Sequence, residues 1–174
     1  MSIAIALAEA GLLHERSVEI VASDGSAAMV ERARVGRYPE RSFRSLPAEL
    51  RARYFRPEGA TWRVDERLHD RIRWTTANLV DREAVLPLAQ ADVIFCRNVF
   101  IYFADATIGG IARTLADGLP DDGVVFLGAA ESLTRLATDF ELVEICGAFA
   151  YVKGAAAYTS QRRTTDAPPT PRAT

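Results

Sequence analysis

Residues 92–96 read Asp-Val-Ile-Phe-Cys: four apolar side chains in succession, closed by the polar pair Arg97-Asn98. The run does not alternate and is too short for a helix, which fits a strand of a parallel sheet with both faces covered. Such a sheet needs helical crossovers, and the flanking sequence supplies them. Val18–Ala22 is a short β-branched run, and Ser23-Asp24-Gly25-Ser26 turns it into a helix with Met29, Val30 and Ala33 inward and Gly36 as its stop. A strand is predicted over Ile72–Ala77, ending at Asn78. A helical stripe follows at Ile108, Ile111, Ala112, Leu115 and Leu119, weakened by Gly109 and Gly110, and then a strand over Val124–Gly128. Phe140–Ile145 and Ala148–Val152, around Cys146-Gly147, predict a closing antiparallel hairpin. An opening helix over residues 2–13 has Ile3, Ala6, Leu7 and Ala10 at i, i+3, i+4 and i+7. Together these predict an α/β fold with an open, doubly wound sheet.

Residues 37–71 break the alternation. They are rich in arginine and interrupted by Pro39, Pro47 and Pro57, with Arg51–Arg56 and Thr61–Asp65 flanking the turn signal Pro57-Glu58-Gly59. That predicts a small antiparallel hairpin inserted on the main sheet. The last twenty residues, with Pro168-Pro169-Thr170-Pro171, read as a disordered tail or linker.

The chain of 174 residues carries 21 basic and 23 acidic side chains, a net charge of -2, which argues against a nucleic-acid-binding domain. No apolar run is long enough to cross a bilayer, and the segment Met1–Leu7 lacks the basic start and cleavage site of a secretory signal. Cys96 and Cys146 make neither a metal-ligand spacing nor a disulfide framework. These features predict a cytoplasmic protein with no metal, no nucleic-acid partner and no membrane insertion.

In a doubly wound sheet ligands sit at the carboxyl ends of the strands. Those ends hold Ser23-Asp24, Asn78, Arg97-Asn98 and Gly128 to Glu131. Asp24 closes its strand before a helix, where an acid can accept hydrogen bonds from a ribose diol or simply start the Asp-Gly-Ser turn. The ribose role calls for a glycine-rich turn about 20 residues earlier, yet no glycine precedes Gly11. Either Asp24 is a turn residue or the chain begins after its own cofactor loop. Arg97, Asn98 and Tyr102 lie among Phe100, Ile101 and Phe103, an apolar setting in which polar groups need partners. Asn78 is equally a common turn former, and Glu131 fits either a site or a helix start. His14 and His69, each without a second ligand nearby in sequence, read as surface residues, and Cys96 as core.

The ten residues Ile94-Phe95-Cys96-Arg97-Asn98-Val99-Phe100-Ile101-Tyr102-Phe103 closely resemble a strand and turn of the CheR family, S-adenosylmethionine-dependent methyltransferases that esterify glutamates on bacterial chemoreceptors. Ordered matches continue at Ser2-Ile3-Ala4, Ala22-Ser23-Asp24, residues 33–38, Arg53-Tyr54-Phe55, Asn78-Leu79, Gly128 and Glu131-Ser132, so the resemblance runs from residue 2 to about 153. It implies a Rossmann-like class I methyltransferase domain over residues 1–153 with a β-subdomain inserted at 37–76, and S-adenosyl-L-methionine as cofactor. It also implies a chemoreceptor cytoplasmic domain as protein substrate. By position, Asp24 is the acid that binds the cofactor ribose, and Asn78 and Leu79 are the adenine-side contacts. Arg97, Asn98 and Tyr102 form the floor and mouth of the site, with Asn98 on the cofactor and Arg97 and Tyr102 catalytic, Tyr102 near the transferred methyl. The turn Arg56-Pro57-Glu58-Gly59 is shorter than the loop of members that grip a receptor tail, which argues against tail binding. The family's helical N-terminal domain, first strand and glycine-containing cofactor loop precede the segment matching Ser2-Ile3-Ala4, so the sequence reads as a C-terminal fragment. Near the fourth strand end the family's histidine-serine-glutamate is replaced by Ala129-Ala130-Glu131. The alternative to an enzyme is a non-catalytic remnant that binds a receptor or another partner through the arginine-rich residues 37–73.

Overall fold

The computed structural model describes residues 1–15, 18–136 and 138–154, so the predicted tail lies outside the described residues from 155 onward. The chain divides into two compact units, Met1–Asn78 and the part from Leu79 on.

The first unit opens with α1 (Ser2–Glu9) and α2 (Leu12–Glu15), where one helix was expected. The break falls at Gly11, whose φ of 74° only glycine adopts without cost. The buried face of α1 also differs from the expected one. Ala4 and Ile5 are buried, Met1 and Ala8 pack beside them, and Ile3 is exposed. A helix that is apolar nearly all round fits the 3,4,7 spacing in more than one register, and Met1, Ala4, Ile5 and Ala8 satisfy it as well as the expected set.

Strand β1 (Ile20–Asp24) starts two residues later than predicted and takes Ser23 and Asp24 into the strand. Then α3 (Ala27–Val35) ends at Gly36 in the left-handed conformation, as its sequence predicts, but only Val30 is buried and Met29 points outward. The chain returns through β2 (Arg37–Pro39), a 3-10 turn at Glu40–Phe43, α4 (Ala48–Tyr54), β3 (Phe55–Glu58), β4 (Thr61–Val64) and α5 (Glu66–His69) to β5 (Ile72–Thr76). β1 and β5 pair in parallel, and the segment between them builds an antiparallel sheet in the order β2-β4-β3. Where a two-stranded hairpin was expected there is a three-stranded sheet within Arg37–Val64, and Ile72–Thr76 belongs to the parallel pair.

The predicted arm Arg51–Arg56 is mostly helix. Ala48-Glu49-Leu50-Arg51-Ala52-Arg53 are good helix formers placed directly after Pro47, and Leu50 and Tyr54 lie one turn apart against the core. Side chains then fasten the subdomain. Glu9 of α1 accepts hydrogen bonds from Arg53 at 2.5 Å and from Tyr54 Oη at 2.6 Å. Glu40 accepts from Arg51 at 2.5 Å and from Trp62 Nε1 at 2.7 Å, and the Arg51 guanidinium lies 4.6 Å from a Trp62 ring centroid. Phe43, Phe55, Val64, Leu68 and Ile72 close one apolar cluster with α1. His69 is half-buried rather than fully at the surface: its Nε2 lies 3.0 Å from the Ala33 carbonyl oxygen and its ring stacks on Trp74. The side chain of His14 lies outside the described residues.

The second unit begins with α6 (Arg82–Val85), a short helix capped by Asp81, whose carboxylate accepts from the backbone N–H of Glu83 and Ala84. It continues through β6 (Val93–Cys96), a 3-10 turn at Phe100–Tyr102, α7 (Asp105–Gly118), β7 (Val124–Leu127), β8 (Phe140–Ile145) and β9 (Ala148–Lys153). The strand order is β6-β7-β9-β8, with β6 and β7 parallel and the last hairpin antiparallel. The predicted stripe of α7 is the one observed: Ile108, Ile111, Ala112, Leu115 and Leu119 are buried with Cys96, Val125 and Tyr151. Each large member contributes about 2–3 kcal/mol by leaving water. Gly118 is required here, since a Cβ would sit 2.5 Å from that of Ala89.

The parallel strands fall into two sheets rather than one, and β1 and β6 are each an edge with a single parallel neighbour. β6 is not buried on both faces as its sequence predicts: Val93 is 48% and Phe95 47% exposed, while Ile94 and Cys96 on the other face join the core.

Candidate functional site

The polar strand ends form two groups, one in each unit. In the first, the parallel register sets Asp24 opposite Thr76, and the backbone N–H of Ala77 donates to the Asp24 carbonyl at 3.1 Å, which carries the ladder one residue further. Asn78 follows immediately, exposed. The register thus brings Asp24 and Asn78, 54 positions apart in sequence, to neighbouring strand ends. The Asp24 Oδ1 accepts from the backbone N–H of Ser26 at 2.8 Å and so starts the turn into α3. The turn role is real, and it leaves an exposed carboxylate with further lone pairs to offer.

The second group is built on the β6 end. Cys96 is buried, and Arg97 and Asn98 emerge into solvent. Asn98 holds a φ of 59°, a left-handed conformation that asparagine tolerates better than most residues. What fixes this turn is Glu131. Its carboxylate accepts four backbone hydrogen bonds, from Asn98 and Gly128 on Oε2 at 2.7 and 2.6 Å, and from Val99 and Phe100 on Oε1 at 2.7 Å each. Glu131 therefore neither opens a helix nor faces outward as a ligand. It ties the end of β6 to the end of β7. Burial pushes its carboxyl up, but the four N–H donors outweigh this and hold it below the usual carboxylate range. Gly128 is the only residue type that fits, because a Cβ would lie 2.5 Å from Glu131 Oε2 and 2.8 Å from Asn98 Oδ1. The sequence signal for this clamp was an acid three residues beyond a strand-end glycine, and it does not say which amides the acid takes.

Tyr102 ends the 3-10 turn with its N–H on the Val99 carbonyl, and its side chain is 78% exposed. Arg97, Asn98 and Tyr102 thus share one clamped loop. Leu79 is half-buried and packs against the apolar cluster of the second unit. Cys96 is core as expected, and burial, followed by the nearby Glu131 charge, pushes its thiol up to about 11, so it is no nucleophile at neutral pH. No His, Cys, Asp or Glu cluster suited to a metal exists among the described residues, and no helix there is long and apolar enough to cross a membrane.

In an α/β fold ligands sit at the carboxyl ends of parallel strands, and each unit carries polar side chains at such an end. Comparison with known proteins defines the class: residues 1–148 match the CheR methyltransferase, SAM binding domain. The chain is 33% identical over 143 residues to chemotaxis protein methyltransferase 2 of Vibrio cholerae, covering 81% of this chain and 49% of that protein. It is also 33% identical over 145 residues to the chemotaxis protein methyltransferase of Salmonella typhimurium, covering 81% and 50%. Chemotaxis protein methyltransferase 1 of Pseudomonas aeruginosa is 35% identical over 129 residues, covering 73% and 46%. The chain belongs to the CheR methyltransferase family, and its cofactor is S-adenosylmethionine. It spans about half the length of these curated relatives. Among solved structures, an rRNA methyltransferase from Streptomyces viridochromogenes superimposes with a TM-score of 0.45 at 20% identity, covering 90% of this chain and 73% of that one.

Proposed function

We propose that the chain is the cofactor-binding part of a protein-glutamate O-methyltransferase acting on the cytoplasmic domain of chemotaxis receptors. The observation that carries this reading is the loop Arg97–Tyr102, which matches the family motif and is held by the Glu131 clamp at a strand end. The exposed Asp24 carboxylate suits the two ribose hydroxyls, and Asn78, with Leu79 after it, suits the adenine. When bound, S-adenosylmethionine supplies an electrophilic methyl group on a sulfonium sulfur. A glutamate carboxylate is ionised above about pH 4.3, so the acceptor needs no general base. What remains is orientation, which can contribute roughly 7–11 kcal/mol to lowering a barrier. Arg97 is the cation that would hold the acceptor carboxylate in line. Tyr102 would cover the methyl from water, and Asn98 would contact the cofactor through its side-chain amide.

Calorimetric titration with S-adenosylhomocysteine tests the reading. A one-to-one endpoint, weakened roughly tenfold by Asp24→Ala, is expected. No heat from a folded sample would overturn cofactor binding by this chain. It would favour the second reading, a partner-binding module without catalysis.

A further inference from the structure

Residues 128–136 follow β7 and form neither helix nor strand. Glu131 lies among them and holds the loop of Arg97, Asn98 and Tyr102, so that loop is only as well placed as this segment. The segment has an anchorage of its own. Leu133 is buried in the apolar cluster around α7, and its backbone N–H donates to Tyr151 Oη at 3.0 Å. Ser132 Oγ lies 3.1 Å from the same phenol oxygen and 2.7 Å from Thr134 Oγ1, and it accepts from the Thr134 N–H at 3.2 Å. Tyr151 is in turn a fixed post. It is buried on β9, paired with Val125 of β7 on one side and Leu142 of β8 on the other. A residue held between two strands has little freedom, whereas the segment it touches has no ladder of its own.

We propose that Tyr151 is a positioning residue for methyl transfer. Its hydroxyl fixes residues 131–133 and, through the Glu131 carboxylate, the loop that carries Arg97 and Tyr102. The consequence for the reaction rests on the role proposed above for that loop, whereas the mechanical link rests on the distances alone. Two jobs of the side chain separate cleanly: the ring fills the apolar cluster, and the hydroxyl satisfies a buried N–H. Without the hydroxyl the Leu133 N–H has no partner at a buried site, which is costly, and the segment gains by moving toward water. Glu131 is two residues away and moves with it. Its four donors lie at 2.6–2.7 Å, and hydrogen bonds weaken steeply as their geometry is lost. A misplacement of about 1 Å in a group that orients reactants can cost roughly a hundredfold in rate.

Amide hydrogen exchange, followed residue by residue by NMR on the chain without cofactor, tests it. Tyr151→Phe removes the hydroxyl and keeps the ring. The Asn98, Val99 and Phe100 amides, protected in the wild type, are expected to exchange roughly tenfold faster in this variant. Ile111→Val, in the same apolar cluster, is the control for a general loss of stability of similar order. The Val124 and Lys153 amides, bonded to the Asp92 and Gly123 carbonyls, report that general stability. In Ile111→Val they should quicken while the three loop amides keep their wild-type rates, because local opening does not disturb that packing. Loop amides unchanged by Tyr151→Phe, equally quickened by Ile111→Val, or unprotected in the wild type would each overturn the proposal. So would a Tyr151→Phe chain that fails to fold, since a group acting on the loop leaves the sheet standing. Failure of the S-adenosylhomocysteine titration would leave the link between Tyr151 and the loop untouched.

Discussion

Glu131 shows how one side chain can do the work of a motif. Four backbone donors converge on it, each within 2.7 Å, and hydrogen bonds to a charged group are the stronger kind. Glu131→Gln keeps one oxygen but turns an NH2 group toward N–H donors, so the second unit should lose about 2–3 kcal/mol, measured by urea denaturation. The sign with pH follows from the lowered carboxyl. Stabilisation by Glu131 is present above its unfolded value of about 4.3 and is lost as pH falls through its folded value. The difference between wild type and Glu131→Gln should therefore be full at pH 7 and shrink in acid. A pH-independent difference would show that charge is not what the amides select. The clamp was only half legible in the sequence: Glu131 stood out at a strand end, but three of its four partners are backbone amides 31 to 33 positions away, and nothing in residue types announces them.

At the level of elements, periodicity worked where an amphipathic face was well defined and failed where it was not. The stripe of α7 was read correctly because polar residues flank it. The face of α1 was misread because Ile3-Ala4-Ile5-Ala6-Leu7-Ala8 offers no polar side to set the register. The strand β2 was missed because three residues, one of them proline, carry no strand signal of their own and exist through pairing with β4. β6 was placed correctly, yet its burial was overestimated because burial belongs to neighbours rather than to the strand. Within α7, Gly109 and Gly110 have nothing within 4 Å of where a Cβ would go. Replacing each with alanine should stabilise by about 0.5–1 kcal/mol, seen as a higher thermal midpoint, and a lower midpoint would mean the helix needs that flexibility or space.

For the molecule as a whole, the two units have separate apolar clusters, one joining α1 to the inserted sheet and the other joining α7 to β6, β7 and β9. Both tryptophans, Trp62 and Trp74, lie in the first unit. Tryptophan fluorescence therefore reports on that unit alone, while far-ultraviolet circular dichroism reports on both. Urea transitions followed by the two probes should not coincide. Coincident curves would show that the clusters unfold as one. The division itself was not legible in the sequence, because the alternation of strands and helices runs unbroken across Asn78 and Leu79 and reads as a single continuous sheet.

The Glu131 clamp also bears on how this loop can change over generations. Its path is held through main-chain amides, which every residue except proline possesses, so the outward side chains at 97 and 102 are uncoupled from the course of the backbone. Substitutions there can alter what the loop recognises without redrawing it. A library randomised at those two positions should keep its fold, whereas one randomised at 128 and 131 should not.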